Sequence, residues 1–163
     1  MTDVLGYSGR RVVVPGSAAG GGEELARILV DLGAEVHAVD RAGSSLPGLA
    51  SVSQCDLGDP DQVDSVLARI GAVVTGLFDC AGLAPAGSAH AAPDRLAGFR
   101  PLVDAVVPLM IPGSAMVAVV PVDEASAIAR YAAERAPALG DLGVRINGCA
   151  AGSRSASGDR KST

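Results

Sequence analysis

Hydrophobic residues along this chain alternate between short β-branched runs and longer stretches with helical spacing. The first run, Val12 to Val14, is typical of a strand buried in a parallel sheet. The apolar positions after it recur at helical spacing until Gly33: Leu25, Ala26, Ile28, Leu29 and Leu32. A second strand follows over 35–39 and ends at Asp40. The pattern therefore predicts strand, helix and strand in succession.

The same alternation continues through the rest of the chain. Strands are predicted over 51–55, 73–78 and 115–120, and helices over 62–70, 96–110 and 123–136. Asp59 and Pro60 fit the N-cap and the first position of the helix at 62–70. Residues 84–95 read as a loop of small residues, and 137–142 as a connection to the last strand.

Glycines fill the turn between the first strand and the first helix. Gly16, Gly20 and Gly22 allow the backbone to approach a ligand where free N–H groups and the helix dipole favour an anion, such as a pyrophosphate. Asp40, at the end of the second strand, is placed to accept hydrogen bonds from ribose hydroxyls, which favours NAD over NADP. The unit is typical of a dinucleotide-binding fold. The alternative is a tight turn that needs glycine and binds nothing.

Composition narrows the class of protein. The 163 residues suit one domain, and with 48% apolar but only 2% aromatic residues the core must be built from Ala, Val, Leu and Ile. A net charge of −5 does not favour binding to nucleic acid or to an anionic membrane, which are both negatively charged. The sequence shows neither a membrane-spanning apolar run nor a signal-peptide pattern, so we expect a cytoplasmic protein with no membrane partner.

The cysteines do not indicate a metal site. Cys55, Cys80 and Cys149 are odd in number and lack the spacing of metal ligands. A reducing compartment is the simplest interpretation, and we expect no bound metal.

Four motifs in order resemble the short-chain dehydrogenase/reductase family. The spacing G-x-x-x-G-x-G at Gly16–Gly22 is similar to the family's glycine motif, and CDLGD places Asp56 where the family has an adenine-contacting aspartate. DCAG, residues 79–82, occupies the place of N-N-A-G, and GLFDCAGLAP looks most like the hydroxysteroid dehydrogenase/carbonyl reductase branch. GVRINGCAAG, residues 143–152, is similar to the family's sixth strand, usually GIRVNAVAPG.

The resemblance implies a Rossmann-like α/β fold, a doubly wound parallel sheet of about six strands in the order 3-2-1-4-5-6. We expect a single domain over 1–151 and a mobile polar tail over 152–163. NAD(H) is the implied cofactor. The residues expected to bind it are Gly16, Ser17, Gly20, Gly22, Asp40, Asp56, Ala81 and Gly82.

The family's catalytic set is missing from this sequence. Its members end the fifth strand in serine and carry Tyr-x-x-x-Lys on the next helix, where the lysine lowers the pKa of the tyrosine. Here the fifth strand ends in Val-Pro-Val, and Lys161, in the polar tail, is the only lysine. Tyr131 and Arg135 have the spacing of the motif, but an arginine cannot lose a proton as lysine does. Members also continue beyond the sixth strand into a substrate-binding region, so we expect a shortened relative.

Four other side chains are candidates for acid–base chemistry. Asp79 follows the fourth strand, where such sheets place ligands, or it caps the next turn. His90 lies in the small-residue loop and either covers a pocket or is simply solvated. Asp123 begins the last helix, and Tyr131 lies late on it, where pairs four residues apart are common on any helix.

Three functions remain open at this point. The first is an atypical enzyme on a small, possibly polyketide-like molecule with a non-redox step such as isomerisation, cyclisation or elimination. The second is an NAD-dependent oxidoreductase with other catalytic residues, and the third an inactive relative that binds a nucleotide or a partner. We also expect a homo-oligomer formed through the helices at 96–110 and 123–136, whose alanine-rich faces allow close packing.

Overall fold

A parallel six-stranded sheet forms the centre of the molecule. The computed structural model describes residues 5–71, 73–83 and 95–152. The strand order is β3-β2-β1-β4-β5-β6, as predicted from the sequence. The strands are β1 (Arg11–Pro15), β2 (Glu35–Asp40), β3 (Ser51–Gln54), β4 (Val74–Asp79), β5 (Met110–Pro121) and β6 (Arg145–Ala151). The helices are α1 (Gly20–Asp31), α2 (Pro60–Ile70), α3 (Arg95–Val106) and α4 (Ala125–Asp141).

Helices cover both faces of the sheet. Neighbouring residues of a strand point to opposite faces, so an apolar strand needs packing partners on each side. Val12 and Val14 pack with Leu29 of α1 in a small cluster on one face. Val13 and Leu77 belong to the larger cluster on the other face, which includes these buried residues of α2, α3 and α4: Val63, Leu67, Phe99, Leu102, Ile128 and Leu139. The valine run of β1 is thus buried on both sides, as its composition predicts.

The amino end of α2 has the predicted cap. Asp59 accepts hydrogen bonds from the backbone N–H groups of Asp61 and Gln62, and Pro60 occupies the first turn. A capped start with proline at the first position fixes where this helix begins.

The helix predicted over 96–110 is shorter than expected. It ends at Val106, and Val107–Leu109 form a short 3-10 helix before β5 begins at Met110. Pro108 explains the break, because proline has no N–H for a helical hydrogen bond and restricts the residue before it. The fifth strand correspondingly begins five residues before the predicted Ala115, at Met110, which pairs with Val74 of β4.

The helix predicted to end at Ala136 continues through Pro137 to Asp141, and it begins at Ala125 after a 3-10 turn over Val122–Glu124. Leu139 is almost fully buried in the larger cluster with Ile146 of β6. Burial of that side chain offsets the cost of a proline inside the helix.

The fourth strand begins at Val74 rather than at the predicted Val73. Val73 has φ of +71°, a left-handed conformation that a β-branched residue rarely adopts, so it belongs to the turn before the strand.

Some expectations fall on residues outside the described ranges. His90 and nearly all of the small-residue loop belong to these, as does the tail from residue 153 onward. The division into one domain and a mobile tail therefore stays a prediction. Within the described ranges, no helix has the length and apolarity needed to cross a membrane.

Candidate dinucleotide site

The glycine loop lies against the carboxyl end of the fourth strand. Gly16 follows β1 with φ of +76°, and a Cβ there would overlap the backbone of Ala81. The Cys80 N–H donates to the Pro15 carbonyl over 2.9 Å, which fixes this approach. Ala81, Gly82 and Leu83 form a one-turn 3-10 helix beside the loop. Glycine at position 16 is therefore required by contact as well as by conformation.

The first turn of α1 is open to a ligand. Its N-cap residue, Ala19, has no side chain that bonds the free N–H groups. A Cβ at Gly22 would overlap the Gly16 carbonyl, and one at Gly21 would lie 2.8 Å from Cδ1 of Leu83. Gly20 and Gly21 are exposed, so this turn presents backbone without side chains at the positive end of the helix dipole, which favours an anion.

Ser17 supplies a second feature that points to a ligand. Its side chain is 0% exposed, and its hydroxyl has no hydrogen-bond partner among the described residues. Buried hydroxyls are normally paired, because an unpaired one costs free energy. A phosphate oxygen reaching this loop would supply the missing partner, so these residues fit the pyrophosphate of a dinucleotide.

Two glutamates near the start of α1 are only partly neutralised by a neighbouring arginine. Glu23 and Glu24 each approach Arg27 at 3.4 Å, one turn farther along the helix. The single arginine offsets one of the two carboxylate charges, so one net negative charge remains near the turn and opposes a bound anion.

Asp40 connects the end of β2 to the glycine loop. Its carboxylate accepts hydrogen bonds from the backbone N–H groups of Ala18 and Ala42, each over 3.1 Å. These bonds hold the carboxylate next to the loop, where the sequence places a ribose-binding acid.

Asp56 lies one strand farther along the same edge of the sheet. Its Oδ1 accepts from Gly58 N–H and from Arg41 Nη2, each over 2.9 Å. The Gly58 N–H first, and then Arg41, lower the pKa of Asp56 below its usual range, so this side chain is a carboxylate at neutral pH.

The chain is similar in sequence to a known dehydrogenase. A coniferyl-alcohol dehydrogenase of Pseudomonas sp. (strain HR199 / DSM 7063) is 33% identical over 109 residues, which are 66% of this chain and 42% of that protein. The chain thus spans less than half the length of this curated relative. A scan against models of protein families finds no match.

Solved structures share the fold at lower identity. An Escherichia coli hydroxysteroid dehydrogenase superposes with a TM-score of 0.72 at 21% identity, covering 91% of this chain and 73% of that one. A Serratia marcescens short-chain dehydrogenase/reductase variant gives 0.71 at 16% identity, covering 87% and 78%. The fold of the chain is that of short-chain dehydrogenases/reductases. Its scaffold is that of a dehydrogenase or reductase, as the sequence motifs predicted.

The short-chain dehydrogenase/reductase scaffold brings Asp79 to the expected edge of the sheet. Asp79 is 6% exposed, and its carboxylate accepts from the Ala81 N–H over 3.0 Å. It therefore shapes the turn that packs on Gly16. Cys80, beside it, is buried, as is Cys55, whereas Cys149 is exposed on β6.

Tyr131 lies between the last two helices. Its ring packs edge-on against Phe99 with centroids 5.8 Å apart, and the Arg100 guanidinium carbon lies 5.2 Å from its centroid. The hydroxyl is buried without a partner among the described residues, and burial raises the pKa of Tyr131. Arg135 pairs with Asp104 across the same two helices at 2.6 Å. This arrangement keeps the phenol protonated and encloses it in the helix contact.

Asp123 lies in the turn that follows β5, and it is exposed. The family's serine position corresponds to the end of this strand, where the chain has Val120 and Pro121. Asp123 is therefore the acidic candidate that solvent reaches, while Asp79 is engaged with the backbone.

The sequence analysis missed Arg41 and Leu83. Leu83 lies beside Gly21, and its position after DCAG was the available signal. Arg41 directly follows Asp40, and its pairing with Asp56 follows from the two residues standing after neighbouring parallel strands.

Proposed function

We propose that this chain binds NAD(H) at the glycine loop. The observation that carries the proposal is the buried Ser17 hydroxyl, which has no partner among the described residues, beside an α1 amino end that no described side chain caps. Both features gain a partner when a phosphate binds. Asp40, held next to the loop by Ala18 and Ala42, supports binding of the ribose hydroxyls and a preference for NAD.

Titration with NADH, followed by calorimetry, tests this proposal on Ser17→Ala. We expect the dissociation constant to rise about tenfold, since a hydrogen bond to a charged group contributes about 1.5–3 kcal/mol. The free energy of unfolding should stay the same or rise, because the variant removes a buried hydroxyl without a partner.

Ser114→Ala is the matched control. Ser114 is equally buried, but its hydroxyl donates to the Val74 carbonyl and accepts from the Ile111 N–H, each over 3.2 Å. This variant should lose stability and keep its affinity for NADH. If the natural chain binds neither NADH nor NADPH, the proposal fails; if Ser17→Ala binds NADH unchanged, Ser17 does not contact the phosphate.

The chemical step that we propose is a non-standard one on a small molecule. Bound NAD(H) would supply hydride transfer, but the sequence contains no Tyr-x-x-x-Lys, and Tyr131 is enclosed between α3 and α4. In this proposal Asp123, exposed in the turn after β5, is the acid–base group of a step without hydride transfer, such as isomerisation, cyclisation or elimination. The proposed substrate is a small molecule, for example a polyketide-like one.

Two alternative functions, an oxidoreductase and an inactive relative, predict different experimental results from those of a non-redox enzyme. An oxidoreductase with other catalytic residues should change the absorbance of NADH when substrate is added, whereas a non-redox enzyme converts substrate without consuming cofactor. The enclosed Tyr131 also favours an inactive relative that binds nucleotide or a partner. Such a relative should keep its binding when His90 and Asp123 are each replaced.

A further inference from the structure

Three charged side chains at the ends of β2 and β3 form a linked group next to the glycine loop. Asp40 bonds the loop through the Ala18 N–H, Arg41 follows it directly, and Arg41 pairs with Asp56 at 2.9 Å. Asp56 is itself anchored, since its carboxylate holds the Gly58 N–H and its own N–H donates to the Gln62 side chain. The arginine is thus directed to a fixed carboxylate.

This group faces the region where an adenosine ribose would lie if Asp40 binds its hydroxyls. A ribose that carries a 2′-phosphate adds nearly two negative charges there. Asp40 and Asp56 repel such a phosphate, and Arg41, a cation that would attract it, is engaged with Asp56.

We propose that Asp56 sets the dinucleotide preference by holding Arg41 away from a 2′-phosphate. The inference rests on the proposed NAD(H) site and adds a specificity-determining residue to it. In this arrangement Asp40 binds the ribose diol, and Asp56 acts through Arg41 rather than by touching the phosphate itself.

The exposure of the pair makes the preference adjustable. The side chains of Arg41 and Asp56 are 41% and 43% exposed, and ion pairs at such exposure contribute little to stability. Arginine binds phosphate through two parallel hydrogen bonds, so it exchanges partners readily once the competing carboxylate is gone. Replacing Asp56 should therefore cost little folding stability and change mainly which dinucleotide binds.

The test compares the dissociation constants of NADH and NADPH in the natural chain and in Asp56→Asn. Asparagine keeps an oxygen for the Gly58 N–H while removing the charge that holds Arg41. We expect the ratio of the NADPH constant to the NADH constant to fall about tenfold, the effect of one nearby unit charge on a phosphate. Using the ratio cancels any change in contacts that both dinucleotides share.

Two further variants separate the role of Arg41 from a general charge effect. The double variant Asp56→Asn/Arg41→Gln should return the ratio to its original value. Asp64→Asn, on an exposed position of α2, removes the same charge away from Arg41 and should leave the ratio unchanged. Asp56→Ser, which also keeps an oxygen for Gly58, replaces Asp56→Asn if that variant fails to fold by circular dichroism.

The possible failures are distinct. If the natural chain binds NADH but the ratio does not move in Asp56→Asn, or moves equally without Arg41, this inference is wrong and the NAD(H) site stands. If the natural chain binds neither dinucleotide, the proposed function and this inference fail together.

Discussion

His37 belongs to a line of polar contacts that joins the first three strands near their amino ends. Arg11 pairs with Glu35 at 3.0 Å, Glu35 lies 3.3 Å from His37 Nε2, and His37 Nδ1 lies 2.7 Å from the Ser51 hydroxyl. Burial lowers the pKa of His37 below its ordinary value of 6.5, and the Glu35 charge only partly opposes this. The folded protein therefore favours the neutral imidazole.

This lowered pKa predicts a loss of stability in mild acid. The unfolded chain takes up a proton on His37 near pH 6.5, while the folded chain resists it, so the free energy of unfolding should fall as the pH drops through that value. Arg11 and His37 help keep the pKa of Glu35 below 4.5, so its charge persists in this range. Urea unfolding between about pH 7 and pH 5 measures the effect.

His37→Gln should flatten the slope of that pH profile. His90→Gln removes the chain's other histidine and is the control, which should leave the slope in place. A slope that persists in His37→Gln would assign the acid sensitivity to another group.

The last helix shows how packing decides the extent of an element. Proline normally ends a helix, yet α4 continues for four residues beyond Pro137 because Leu139 is buried against the sheet. Pro137 itself is exposed, so its ring contributes little to the core.

Pro137→Ala should therefore stabilise the protein, by about 1–3 kcal/mol, because alanine restores the missing backbone hydrogen bond. Thermal or urea unfolding measures the change. Pro60→Ala is the matched control, since Pro60 occupies the first turn of α2, where proline is favourable, and its replacement should bring no gain. Equal effects in the two variants would show that Pro137 costs the helix nothing.

At the scale of the whole molecule, α3 and α4 form one outer layer and pack together through Phe99 and Tyr131. The exposed positions of α4 include Ala129 and Ala133, four residues apart and therefore on one side of the helix. Small side chains there permit close approach of another helix, and we propose that this layer forms the contact of a homo-oligomer.

Light scattering on the natural chain should give a mass that is a multiple of the monomer. Ala133→Arg places a long charged side chain in the proposed contact and should shift the protein towards the monomer. Ala68→Arg, on an exposed position of α2, is the control and should leave the mass unchanged. A monomeric natural chain at working concentration would overturn the proposal.

The sequence by itself determined the order and type of the elements. Periodicity gave the parallel strands and their helices, because the period of apolar residues directly reflects which side is buried. Local chemistry gave the Asp59 cap, and glycine spacing placed a turn that only residues without a Cβ allow. The position of Asp40 beside that turn was also predictable, since the ends of neighbouring parallel strands meet at one edge.

Only the tertiary structure decided where several elements end and how the polar groups are engaged. The end of α4 depends on Leu139 packing against β6, and the start of β5 on pairing with Val74, contacts between residues far apart in sequence. Residues far apart in sequence also decide three features of the polar groups. These are the ion pair between Arg41 and Asp56, the lack of a partner for the Ser17 hydroxyl among the described residues, and the packing of Tyr131 against Phe99. A sequence pattern indicates which side chains prefer burial. The hydrogen-bond partners of a side chain, and the residues at which a helix or strand begins and ends, depend on the groups that folding brings together.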